Sequence, residues 1–240
     1  MDKQRIKRLP PRFDNQMSKT QIVLGWIYVP VHMFVLPLLL NMLAAYYPGG
    51  LDDVTVNILY YAAGVLFTAI VMGGYLRRHF DALLDNLLRS VMALLFGVLI
   101  EYSLSLLSAI VLLLVEENVI NPNNDAVMEL AQTDLGAIKG LAVFIGPVVE
   151  EVLFRGVVFG TLQKKNRTAA YIACIVLFSL NHVWAYALAA QDFTLLLYAL
   201  QYIPATVALC WVYEHSGSIW ASIFMHMGMN AISLAVLSML

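Results

Sequence analysis

Charge is scarce in this chain: Asp, Glu, Lys and Arg make up 12% of its 240 residues, about half their share in soluble domains. With 61% hydrophobic residues and a mean hydropathy of +0.77, that shortage excludes an ordinary soluble globule. A net charge of -2 predicts no nucleic-acid partner, since nucleic-acid binders carry a basic balance. Cysteine is nearly absent. Cys174 and Cys210 both fall inside apolar runs, which rules out a disulfide framework and a Cys-based zinc site and makes them packing residues. The HExxH pattern that presents two histidines from one helix is missing, as are internal repeats and low-complexity tracts. Nor are there the paired, interrupted helices that mark many secondary transporters.

What is abundant is apolar sequence of membrane-spanning length. Runs recur at about 21–43, 56–75, 90–115, 137–162, 168–188, 193–212 and 218–240, each near the roughly 20 residues a helix needs to cross a bilayer. The expected fold is all-α, a polytopic membrane helix bundle of about seven transmembrane helices. The first run follows a basic segment, but it is longer than the roughly 7–15 residues of a secretory h-region and reads as a retained helix. Positive charge alternates between connections. Lys3, Arg5, Lys7, Arg8, Arg12 and Lys19 precede the first run, Arg77, Arg78 and Arg89 follow the second, and Lys164, Lys165 and Arg167 follow the fourth. The connections between carry acids instead: Asp52 and Asp53, then Glu116, Glu117, Asp125, Glu129 and Asp134, then Asp192. By the positive-inside rule the N-terminus is cytoplasmic. The chain divides into a basic tail over 1–20, N-terminal helices with an acidic outer loop over 21–135, and a C-terminal core over 136–240. Its compactness and short loops point to a bacterial plasma membrane, with the lipid bilayer as solvent.

Glu150 and Glu151 stand side by side inside the fourth run, with Arg155 four residues after the second. An ionised group at membrane depth costs on the order of 3 kcal/mol or more, so such residues normally face a polar cavity or each other. Two later runs carry His182, four residues after Phe178, and His226, four residues before Asn230. Residues four apart share a helix face. At 1.5 Å per residue, Glu150, Glu151, His182, His226 and Asn230 all lie roughly 12–21 Å from the cytoplasmic ends of their helices, which favours one site in one slab of the bilayer. Glu150 is turned about 100° from Glu151. The simplest division pairs Glu151 with Arg155 and leaves Glu150 free to titrate, while Pro147 removes a helix hydrogen bond just before the carboxylates.

These three motifs, Glu150-Glu151-x-x-x-Arg155, Phe178-x-x-x-His182 and His226-x-x-x-Asn230, resemble in order those of the CPBP family of intramembrane proteases. That family includes the type II CAAX prenyl endopeptidases and bacterial bacteriocin-processing and immunity proteins. The resemblance covers about Gly136 to Leu240; the first three helices are similar only in being hydrophobic. It implies an endopeptidase centre with Glu150, His182, His226 and Asn230 catalytic and Glu151, Arg155 and Phe178 in support. It also implies a peptide or protein substrate with a membrane-associated tail, whether a CAAX-type prenylated tail or a bacteriocin leader or signalling peptide.

Peptide hydrolysis needs an activated water, a stabilised oxyanion and a proton for the leaving amine. Glu150 is the candidate base, His182 can orient the water, and His226 with Asn230 can donate to the oxyanion. The same side chains could instead hold zinc, with His182, His226 and Glu150 or Glu151 as ligands. Related proteins have been described in both ways, so the cofactor stays open between none and zinc. Two other readings remain: a non-catalytic membrane scaffold or regulator, and a small transporter in which buried Glu, His and Arg relay protons. Arg155 can be purely architectural, Asn230 interhelical glue and Phe178 a pocket wall. Glu101 and His32 lie halfway along their helices and either pair with each other or, for Glu101, support the site. The site is expected to open toward the cytoplasmic half of the bilayer, and His79 and His215 read as solvated or interfacial.

Overall fold

In lipid, backbone N–H and C=O groups have only each other to bond, and the chain answers with helix almost throughout. The computed structural model describes residues 13–115 and 121–237. Lys3, Arg5, Lys7, Arg8 and Arg12 of the expected basic tail, and the acidic pair Glu116 and Glu117, lie outside the described residues.

Helix α1 spans Lys19–Tyr46. Its start is a capping box, in which Ser18 Oγ accepts from the Gln21 amide and the Gln21 side chain accepts from the Ser18 amide. After Pro30 it widens into a π-wound stretch, Val31–Val35. Helix α2, Asp53–Asp85, begins where Asp52 accepts from the Thr55 amide at 2.8 Å, and α3 covers Leu87–Val115. A short helix α4, Pro122–Thr133, is capped by Asn121. Helix α5 runs continuously over 135–163, and α6, Arg167–Ala190, is capped by Asn166. Helix α7, Phe193–Ser216, opens with ten residues of 3-10 winding and ends at Gly217, whose φ of +78° is the left-handed stop that glycine supplies. Helix α8 is Ile219–Leu237.

Six of these, α1, α2, α3, α6, α7 and α8, are long and apolar enough to cross a membrane, so the protein is a multi-pass membrane helix bundle. The fourth apolar run forms α5, which carries Lys139, Glu150, Glu151 and Arg155 and is the most enclosed helix. Every residue from 149 to 160 is buried. Helices α1, α2, α6, α7 and α8 pack around it, and α3 lies outside against α7 and α8. Its charges are therefore surrounded by protein, while Leu66, Ile70, Leu99, Leu114 and similar side chains face outward on the other helices.

Close approach explains two glycines. A Cβ on Gly25 of α1 would meet Val157 Cγ2 at 2.5 Å, and one on Gly64 of α2 would meet Val149 Cγ1 at 2.7 Å. Small residues let both helices seat against α5. Gly64→Val is expected to force them apart, at about 1–3 kcal/mol for overpacking, and to lower the thermal midpoint of the purified protein. An unchanged midpoint would show that the contact yields.

Two connections differ from the sequence reading. Helix α2 continues through Arg77 and Arg78 to Asp85, because nothing in that stretch breaks a helix, and only Asn86 separates it from α3. Half of the acidic third connection is α4, which touches α2 and α6 across that end of the bundle. The basic end is tied together more tightly than solvated loops would be. His79, expected to be interfacial, is fully buried: Nε2 donates to the Asn15 carbonyl at 3.1 Å and Nδ1 accepts from the Ile219 amide at 3.3 Å. Tyr213 adds a hydrogen bond to Asn15 Oδ1 at 3.0 Å. Around this clasp Arg78 reaches the Gln16 carbonyl, Arg89 the His215 carbonyl and Arg167 the Glu214 carboxylate. Lys164 beside Asp14 holds that exposed carboxyl below its ordinary pKa.

Candidate functional site

Helix α5 is wound unevenly where its charges sit. A π stretch, Gly140–Ile145, hands over to α-helical Gly146–Glu150 with Pro147 in its first turn, and a second π stretch, Glu151–Phe159, follows. Proline has no N–H to offer and is tolerated in a first turn, so the change of winding accommodates Pro147. Wide turns of this kind recur at functional sites. Here the second stretch begins at Glu151, between the two carboxylates.

The two glutamates share His226 and otherwise face different partners. Glu151 is fully buried; its Oε1 lies 2.9 Å from Arg155 Nη1 and accepts from His226 Nδ1 at 2.8 Å. The Arg155 guanidinium, also fully buried, lies over the Phe178 ring with 4.1 Å to its centroid. Glu150 turns toward the imidazoles. Its Oε2 is 3.9 Å from His182 Nε2 and 3.8 Å from His226 Nε2, and its Oε1 accepts from the Tyr61 hydroxyl at 3.3 Å.

Tautomers follow from these contacts. A carbonyl can only accept, so His182 Nδ1, 2.8 Å from the Phe178 carbonyl, carries the hydrogen. The neutral ring then points a lone pair at Glu150 from Nε2. His226 is oriented the same way by Glu151. The Nε2–Oε2 gaps are too long for direct hydrogen bonds. Tyr202 stacks on His182 with ring centroids 4.3 Å apart and fixes that ring from the other side.

Asn230 is one α-helical turn beyond His226, and its Nδ2 donates to the Ala142 carbonyl at 2.8 Å, joining α8 to the first π stretch of α5. One amide hydrogen remains. Phe178 is the face on which Arg155 rests and supplies the carbonyl that orients His182. His32 and Glu101 do not pair. Buried His32 bonds the Tyr60 hydroxyl at 2.8 Å, and Glu101 accepts from Ser105 at 2.8 Å while facing the cavity described next.

Glu150, His182 and His226 sit at one end of a cavity of about 780 Å³ that Asn230, Tyr61 and Tyr202 also line. It does not run toward the basic end, as the sequence reading expects. Apart from Glu150, Phe178, Ala205 and His226, which lie near the middle of their helices, its walls come from the second halves of α1, α3, α6 and α8, the first halves of α2, α5 and α7, and α4, which is the half bearing the acidic connections. Depth counted along each helix locates the carboxylates but carries no information on which side of them the helices part. Nothing in the sequence marks Tyr61 and Tyr202 either, because tyrosines in apolar runs are common here and only packing distinguishes these two.

His182, His226 and Glu150 are donor types that zinc takes, and bonds at Nδ1 orient both rings as ligands usually are. The spacing does not fit. The gaps of 3.8 and 3.9 Å exceed the roughly 3.4 Å between neighbouring ligands of a tetrahedral zinc. No group of three or more His, Cys, Asp or Glu among the described residues is placed to hold a metal ion.

Residues 136–232 match the family described as type II CAAX prenyl endopeptidase Rce1-like, a stretch shorter than half the chain. No curated protein and no solved structure matches the chain.

Proposed function

We propose that the protein is an intramembrane endopeptidase that hydrolyses a membrane-associated peptide with Glu150 as base. The observation that carries this reading is the convergence of Glu150 Oε2 with the Nε2 atoms of two oriented imidazoles at the end of a cavity. The family match over 136–232 supports it. In this reading α5 also crosses the bilayer, giving seven spans, and the basic end with the N-terminus is cytoplasmic.

A water between these groups donates one hydrogen to Glu150 and one to His182. Glu150 takes its proton as the oxygen attacks the substrate carbonyl carbon, and the protonated Glu150 then gives that proton to the amine as the C–N bond breaks. With both carboxylates ionised, Arg155 leaves the cluster one negative charge in excess. A proton on His226 balances it, and Glu151 stabilises the imidazolium in the way a carboxylate holds a catalytic histidine. His226 Nε2–H then donates to the oxyanion, with the second Asn230 amide hydrogen as a further donor. The Tyr61 hydroxyl steadies Glu150. Tyr61→Phe is expected to slow cleavage by about 2–10-fold, the worth of one modest hydrogen bond, read as kcat with KM nearly unchanged.

The direct test is mass spectrometry of membrane peptides from cells expressing wild type or Glu150→Ala, with a chelator-treated wild-type arm. New termini that depend on Glu150 and survive chelation are expected. Termini lost on chelation and restored by zinc would replace this mechanism with a metal one. Their complete absence would leave a scaffold.

A further inference from the structure

The end of the bundle from which the cavity draws its walls has a sign. Asp52, Asp53, Asp125, Glu129, Asp134 and Asp192 lie on the connections at that end, at the start of α2 or in α4. Every lysine and arginine of the chain except Lys139 and Arg155 belongs to the opposite end or to the tail leading into it. Since positive residues are retained on the cytoplasmic side, the cavity extends toward the other face of the membrane. Helix α4 roofs part of it there, with Asn121 donating to the Tyr202 hydroxyl at 3.1 Å and Tyr186 donating to Asn123 at 3.5 Å.

The lining has a sign as well. Glu101 and Glu150 face the cavity, and no lysine or arginine does among the described residues. Most other polar groups are amides and phenols, including Asn41, Asn57, Asn123, Asn181, Gln201 and Tyr60. Side-chain amides offer donors and acceptors together, which is what an extended peptide backbone presents. The charge of Glu150 is offset within its own cluster, but among the described residues Glu101 has only Ser105 beside it and no lysine or arginine on the cavity wall, and a carboxylate within low-dielectric walls attracts a cation and repels a second carboxylate far more strongly than it would in water.

We infer that the cavity takes an extended peptide carrying a lysine, an arginine or a free amino terminus, admitted from the non-cytoplasmic face; this rests on the peptidase reading and narrows its substrate class. A CAAX-type tail, which is cytoplasmic and ends in a carboxylate, matches neither the side nor the sign.

Cysteine accessibility tests both parts in the full-length protein. Cys174 and Cys210 are fully buried, so the wild type serves as the blank. Asn57→Cys and Ser233→Cys place thiols on the cavity wall, and Lys165→Cys places one at the basic end. Each is treated, in spheroplasts and in inverted membrane vesicles, with two impermeant methanethiosulfonates, one bearing trimethylammonium and one bearing sulfonate. Both cavity variants are expected to label in spheroplasts and not in inverted vesicles, with Lys165→Cys the reverse. Labelling of both cavity variants from inverted vesicles alone, or from neither side, overturns the route. After correction for intrinsic reactivity, the cationic reagent is expected to label Asn57→Cys at least about tenfold faster, with the preference reduced by Glu101→Gln. A lysine-containing apolar decapeptide, acetylated at its amino end and amidated at its carboxyl end, is expected to slow labelling where its identically capped glutamate twin does not. Equal reagent rates, or protection by the glutamate peptide, overturn the cation preference. Labelling needs no turnover, so it succeeds or fails independently of Glu150-dependent cleavage.

Discussion

Replacing Glu150 with glutamine is expected to lower the rate of peptide cleavage in proteoliposomes by about 10²–10⁴-fold, the usual contribution of a positioned base. Glutamine keeps the size of the side chain and an oxygen to accept from Tyr61, so packing around α5 should survive. It cannot take a proton from water. The thermal midpoint should therefore stay within a few degrees of wild type while turnover collapses, and KM should change little, because the loss falls on the chemical step. His182→Ala and His226→Ala should each be comparably inactive, the first by leaving the water unheld and the second by removing the oxyanion donor. Near-normal cleavage by Glu150→Gln would end the proposal that this carboxylate is the base. A matched loss of folding would mean that the glutamate holds the bundle together.

Much of this arrangement is legible in the chain because membrane helices leave few choices. Charges in an apolar run must find partners, and the spacing of Glu151 and Arg155 identifies one such pair, found at 2.9 Å. Spacing along each helix also brings His182 and His226 to the level of Glu150. The turn between adjacent residues separates the two glutamates, which share His226 between them but otherwise face different groups, Arg155 for one and His182 with Tyr61 for the other. What pattern cannot supply is contact between helices. Nothing about Asn15, His79 and Ser218 in sequence shows that they form one clasp at the basic end, where Ser218 Oγ donates to the His79 carbonyl at 2.6 Å. Tyr61 and Tyr202 become part of the site only because α2 and α7 bring them against Glu150 and His182. The π winding of α5 has no marker beyond Pro147, and the second stretch over Glu151–Phe159 contains no proline at all. Local composition likewise locates the acidic third connection without revealing that Asn121 caps a helix there.

The largest effect on stability is expected from Arg155→Met. Arg155 is wholly buried, and so is its ion-pair partner Glu151, which is hydrogen-bonded to His226. Taking the guanidinium away leaves a carboxylate enclosed in protein without its main counterion, at a cost of about 3–5 kcal/mol. The thioether of methionine can fill the space over Phe178 but cannot neutralise Glu151. Glu151→Gln alone strands the guanidinium in the same way and is expected to cost a similar amount. The double variant removes both charges, and burying an ion pair in place of apolar groups is often close to neutral, so it should recover most of the loss. The cycle therefore separates architecture from chemistry. If Glu151 served only to hold Arg155, the recovered double variant would also recover cleavage. If Glu151 stabilises a protonated His226 through the 2.8 Å contact at Nδ1, the double variant folds and remains slow. We expect the second result, with thermal midpoints restored and kcat still depressed, because glutamine can accept from His226 but cannot balance its charge. Full recovery of kcat in the refolded double variant would reduce Glu151 to a structural partner of Arg155.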